Sequence, residues 1–158
     1  MISIKPHHLV DIIISFHEEC VIPEPHSYRH DVHTVTQEVI RNPDTLLFME
    51  LGADDICVPC IHNKEGQCQD VIDITFRPTA PSSKREYNSL IDERWLNHLD
   101  LKEGDTITAR DFCLLLLDRA SDITPIYIEN PKEKIEQKQT RLCKGIETFL
   151  ANRYVPVE

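Results

Sequence analysis

Glycine is scarce in this chain, with four in 158 residues. None falls in a G-x-G-x-x-G or Walker pattern, so the two common glycine-loop routes to nucleotide binding are missing. Long apolar runs are missing as well. The run from Leu9 to Phe16 is short and is interrupted by Asp11. No window comes near the roughly 18 apolar residues of a membrane span. Lysine and arginine nowhere form a run. The chain has 17 basic against 27 acidic residues, a net charge of −10. That balance argues against nucleic-acid and anionic-membrane partners, both of which need a basic face. Met1 to His8 lacks a secretory pattern, so the cytoplasm is the expected compartment. There is no internal repeat and no low-complexity segment.

What remains is an ordinary globular composition, 41% hydrophobic and 28% charged. The length suits one domain with a real core, read as residues 1–158. Residues 1–5 read as extended, and Pro6 suits the first turn of a helix to about His17. Leu9, Ile12, Ile13 and Phe16 recur at helical spacing. Cys20 to Pro25 is a break. Ser27 is the expected N-cap of a second helix to about Arg41, stopped by Asn42-Pro43-Asp44. Thr45 to Leu51 is the best strand candidate, and Val71 to Phe76 alternates as a strand able to pair with it. Ser83 and Glu86 form a capping box for a helix over 84–99. Gly104-Asp105 is a turn, and Thr108 with Asp111 caps a helix from Phe112 to Ala120. A last helix runs from Asn130-Pro131 to about Arg153, with Ile135, Leu142, Ile146 and Phe149 as its stripe. The expected fold is α+β and mainly helical, with four to five helices, a small two-stranded sheet and a cysteine-rich loop.

That loop is the most informative stretch. Three of the six cysteines lie within twelve residues. Cys57 and Cys60 form a C-x₂-C knuckle, and Cys68 follows after a polar turn, Asn63 to Gly66. Thiols three positions apart can face one metal ion without backbone strain, and a third from across a turn closes most of a tetrahedron. Buried structural cysteines seldom gather in a polar turn. In a reducing compartment they are better read as ligands than as disulfides.

A closed site needs a fourth ligand. Cys143 is the leading candidate, since it sits beside Leu142 on the last helix and Lys144-Gly145 permits a close backbone approach. The alternative for Cys143 is a core position on an amphipathic helix. His7 or His8 comes next, and His62 inside the loop is a third option. Cys113 reads as a core residue, and Cys20 carries no assignment. His26, His30 and His33 are spaced i, i+4, i+7 and offer either a second divalent-ion face or a solvated polar one. Asp54 and Asp55 beside the cysteines read as turn caps or, alternatively, as general bases.

Pro6-His7-His8-Leu9, Asn42-Pro43-Asp44-Thr45 and the stretch from Gly52-Ala53-Asp54-Asp55-Ile56-Cys57 to Cys68 together resemble a family of small bacterial and archaeal proteins, the domain-of-unknown-function family numbered 1284. The resemblance covers most of residues 4–70 and, more weakly, the helical remainder. It implies an iron–sulphur or metal-binding protein. The family pattern has a cysteine after the His-His-Leu segment and a closing C-x₂-C pair. Here Asp11 and Ile146 stand in those places. The resemblance therefore leaves Cys57, Cys60, Cys68 and Cys143 as the matched thiols.

The leading expectation is one centre, an iron–sulphur cluster or zinc, on Cys57, Cys60, Cys68 and Cys143. The competing one is a metal-dependent enzyme whose open zinc or iron site is completed by His7 or His8. A third is an interaction module with a purely structural zinc.

Overall fold

The computed structural model describes residues 1–152. The chain enters as β1 (Ile2–Ile4) and turns directly into α1 (Pro6–Ser15). Pro6 opens that helix, where its missing N–H costs nothing and its fixed φ suits the first turn. There follow α2 (Val32–Arg41), β2 (Leu46–Met49), and a hairpin of β3 (Asn63–Lys64) and β4 (Gln67–Cys68). The chain continues with α3 (Lys84–His98), β5 (Thr106–Thr108), α4 (Ala109–Arg119) and α5 (Lys132–Ala151). This is the mainly helical α+β fold that the periodicities imply. The expected end of the last helix at Arg153 lies outside the described residues.

Two boundaries differ from the sequence reading. The second helix begins at Val32, not after Ser27. Residues 26–29 close a turn of their own, with the Arg29 N–H donating to the His26 carbonyl at 2.9 Å. Arg29 sits at φ 62°, a left-handed conformation that a helix cannot pass through. The i, i+4, i+7 face of His26, His30 and His33 therefore does not form. The strand from Val71 to Phe76 also does not form. Val71 makes an isolated bridge to Ser83. The places beside β2 belong to β1, which is parallel to it, and to β5, which is antiparallel. The sheet order is β1-β2-β5, and residues 106–108 add a third strand where only a helix cap had been read.

The capping signals hold. Ser83 Oγ accepts from the Glu86 N–H at 3.3 Å, and Thr108 Oγ1 accepts from the Asp111 N–H at 3.0 Å. One core collects Leu9 and Ile13 from α1, Phe16 at its C-cap, Trp95 from α3, Phe112 from α4, and Leu142 and Phe149 from α5. Phe16 and Phe149 stack at 5.9 Å between ring centres. The α1–α5 crossing is unusually close at Gly145, where a Cβ would lie 1.9 Å from the Ile13 carbonyl oxygen. A glycine is the one residue type that allows that approach. The backbone contact anticipated at Lys144-Gly145 is therefore real, but α1 makes it and the cysteine loop does not.

The same packing fixes the start of α1. The Asp92 carboxylate of α3 accepts from the His7 N–H at 2.7 Å. Asp54 accepts from the Lys5 N–H, also at 2.7 Å. Two buried carboxylates thus meet the positive end of the helix dipole.

Candidate metal centre

The cysteine loop is tied down on both sides. Asp55 exchanges two hydrogen bonds with Ser3 of β1, backbone to backbone at 3.0 Å and side chain to backbone at 2.9 Å. The segment leading into α2 lies along the other side, with the Ile61 N–H donating to the Tyr28 carbonyl at 2.8 Å and the Asp31 N–H to the Ile56 carbonyl at 3.1 Å. Within the loop the Cys60 N–H donates to the Cys57 carbonyl at 2.9 Å, which closes the knuckle. Cys68 then returns opposite Asn63 across the hairpin. The hairpin turns through Glu65 at φ 53° and Gly66 at φ 82°. Two positive φ angles in succession make the primed turn whose twist suits a two-residue hairpin.

Cys57, Cys60 and Cys68 all line one cavity of about 400 Å³, and they also line a second of about 260 Å³. The loop is thus a thin wall with thiols on it. The larger cavity is faced from the other side by His7 and His8. Their rings are 4.3 Å apart and tilted by 47°. Adjacent residues of a helix leave it about 100° apart, yet both histidines line this cavity.

The two histidines are held differently. His7 Nδ1 lies 2.9 Å from each Asp92 oxygen. Burial lowers the His7 pKa, but the charge and hydrogen bond of Asp92 outweigh it and leave the pKa raised. His8 Nδ1 lies 2.7 Å from Asp54 Oδ2. Burial, with the charge of His7, holds the His8 pKa below the usual value against the pull of Asp54. Asp54 is nonetheless ionised. It is 1% exposed, yet it accepts from His8, from the Lys5 N–H and, at 3.0 Å, from the Cys57 N–H. Those donors offset the burial and hold its carboxyl well below the usual range. An ionised carboxylate at Nδ1 places the His8 proton there and leaves the Nε2 lone pair free.

Donor atoms of His8, Asp54 and Cys57 all lie within 4.8 Å of one another. They form the candidate metal-binding group among the described residues. Burial first, and then the negative charge of Asp54, push the Cys57 thiol up to about 12. A cation beside that thiol is what would ionise it at neutral pH. Two further ring nitrogens on the cavity wall, His30 Nδ1 and His62 Nε2, are buried without a partner.

Cys143 does not join the loop thiols. It is exposed on α5, with its Sγ 3.6 Å from Gln139 Nε2, and it does not line the cavity. The cause is helical geometry. Leu142 and Ile146 face the core, and one residue further on the chain has turned by about 100°. Cys143 is therefore not a core residue either. Cys113 is fully buried, as its position on the α4 stripe implies. Sequence reasoning found Asp54 as a turn cap, which it is, but not its bonds to Lys5 and His8. Asp92 was missed altogether. Its signal was an acid beside Ile91 on the inward face of a helix, a position that demands a buried partner.

No protein-family model, curated protein or solved structure matches this chain.

Proposed function

We propose that this chain is a metal-binding protein whose centre lies on the cavity wall between the cysteine loop and the start of α1. Cys57 and His8 are its inner donors, and Cys60 and Cys68 complete a mixed sulphur–nitrogen set. One observation carries this reading: His8, Asp54 and Cys57 bring their donor atoms within 4.8 Å of one another, while Cys60 and Cys68 stand outside that group but line the same cavity. Asp54 is already spent on three donors. Its part is to orient the imidazole, the carboxylate–histidine pairing that fixes tautomer and ring angle in metal sites.

Three thiolates with one imidazole are a donor set that zinc accepts in tetrahedral form. An all-thiolate cluster would require a fourth cysteine at the loop, and Cys143 is elsewhere. We therefore favour zinc over an iron–sulphur cluster, and His8 over Cys143 as the fourth ligand. When bound by all four side chains, zinc would hold the loop against α1 and add its binding free energy to folding. The chain's own residues do the rest. Asp54 orients His8, Asp92 holds His7, and the loop's bonds to Ser3 and Tyr28 keep the thiols against α1. The resemblance carried by Gly52 to Cys68 is part of the same proposal.

The test is metal and sulphide content per chain in anaerobically purified protein, with its visible spectrum. Colourless protein with one zinc, lost in His8→Ala and Cys57→Ser and kept in Cys143→Ser, is the expected result. Brown protein with iron and sulphide in near-equal amounts would replace zinc by a cluster. Loss of metal in Cys143→Ser with retention in His8→Ala would restore the four-cysteine site.

A further inference from the structure

The larger cavity has a charge that the rest of the chain does not. Lys5, Arg77, Lys84 and Lys138 line it, against the carboxylates of Asp11 and Asp70. That surplus of two positive charges belongs to a chain of net charge −10. The carboxylates are taken. Asp70 lies 3.4 Å from Lys84, and Asp11 lies 3.7 Å from Lys138. Asp54 and Asp92, behind the histidines, are occupied by donors of their own. Glu129, towards the Arg77 side, is gripped by Arg94 at 2.7 and 2.9 Å.

Two cations are left over. Lys5 is 6% exposed, lines the cavity, and among the described residues has no carboxylate within ion-pair distance and no acceptor for its ammonium. The stem of the side chain is buried, while its ammonium stays open to the cavity without a countercharge. Arg77 is the other. Its guanidinium stacks over Phe76 and Tyr87, at 4.7 Å from each ring centre, and its Nε donates to the Asp73 backbone carbonyl at 2.8 Å. Neither contact neutralises it. The stacking holds the guanidinium in place as an acid-binding fork. The rest of the wall includes Tyr28, Ile72, Tyr87 and Ile91, an apolar body for a ligand to lie against. A volume of about 400 Å³ suits a small molecule and excludes a macromolecule.

We propose that this cavity binds a small organic anion, one phosphate or carboxylate group on an apolar body. Lys5 is the unpaired cation at the cavity that receives the acid group, and Arg77 is the second cation of the wall without a carboxylate within ion-pair distance among the described residues. The inference names the ligand class of the metal-bearing site, so it deepens the zinc reading, but its charge argument stands on residues other than the proposed ligands. The histidines and thiols line the same cavity, so the bound anion would lie beside the metal centre.

The probes are phenyl phosphate and benzoate, with benzyl alcohol as the neutral control, titrated by calorimetry into wild type, Arg77→Gln and Lys5→Gln. Zinc per chain is measured on the same samples. Wild type is expected to bind at least one anion and to prefer it over benzyl alcohol. Each variant is expected to weaken that anion by about tenfold, the scale of one lost charge-assisted contact. The preferred probe separates a phosphate site from a carboxylate one. The proposal fails if neither anion binds, if benzyl alcohol binds as well as they do, or if Arg77→Gln leaves affinity unchanged. It also fails if Lys5→Gln loses zinc while keeping anion affinity, because Lys5 would then serve only the thiolates. Wild type without zinc that still binds an anion through Arg77 would overturn the zinc reading and support this one.

Discussion

Asp54→Asn is the sharpest perturbation of the candidate centre, because it keeps the shape of the side chain and changes only charge and proton inventory. Asp54 Oδ2 accepts from the Lys5 N–H and from His8 Nδ1, and Oδ1 accepts from the Cys57 N–H. An asparagine has one acceptor oxygen. If that oxygen takes the Oδ2 position, the amide NH₂ confronts the Cys57 N–H, donor against donor. If it takes the Oδ1 position, the amide confronts the Lys5 N–H, and His8 must also move its proton to Nε2 to accept from it. The first arrangement is the cheaper, and one stranded buried N–H costs about 1–3 kcal/mol. The two surviving bonds lose their charge assistance, roughly 1 kcal/mol more between them. A total of about 3 kcal/mol corresponds to a fall in Tm of roughly 6–12 °C for a chain of this size. The metal site suffers separately, since His8 loses the anion that fixes its tautomer, and zinc affinity should drop about 10- to 100-fold. Calorimetric unfolding of the metal-free protein gives the first quantity. Competition with a chelator of known affinity gives the second. Unchanged Tm together with zinc affinity within twofold of wild type would refute both the hydrogen-bond accounting and the role of Asp54 as the orienting acid.

Gly145→Ala places a Cβ where the Ile13 carbonyl already stands. α1 and α5 must separate, and the chain should lose about 1–3 kcal/mol or more by thermal unfolding. Ser83→Ala removes the oxygen that accepts from the Glu86 N–H and should cost about 1 kcal/mol in the same assay. Arg94 holds the Glu129 pKa below its ordinary value. A depressed carboxyl gives stability that is complete above its unfolded pKa of about 4.3 and disappears as pH falls through the folded value. The difference in Tm between wild type and Glu129→Gln should therefore be constant near neutrality and shrink below pH about 4. A difference that grows on acidification would show the sign to be wrong. Cys113→Ala, in the core and away from the loop, should destabilise the fold while leaving zinc content at wild-type level.

The local features were legible because they depend on local chemistry. Pro6 at a first helical turn, Ser83 and Thr108 as caps, Gly66 and Gly104 at positive φ, and the α5 stripe each follow from a few neighbouring residues. β5 was not legible. Thr106 to Thr108 is β-branched throughout but only three residues long, and its pairing with Leu46 to Phe48 spans some sixty residues of chain. The start of α2 was misplaced for a similar reason. Residues 26–31 are drawn out of helical conformation where Tyr28 and Asp31 bond to the cysteine loop, which lies some thirty residues further on.

The sequence by itself determined that three thiols share one short loop, that two histidines open the first helix, and that the chain has four glycines and a net charge of −10. Spacing and composition are properties of the chain, and they survive any fold. Only the tertiary structure decided that His8 faces Cys57 through Asp54, that Cys143 points away, and that Lys5 and Arg77 line one cavity. Those outcomes depend on how α1, α3 and α5 pack around the loop. A turn of about 100° per residue along a helix carries a side chain from the core to solvent in one step. No spacing rule reports which way that turn leaves it facing until the neighbouring elements are in place.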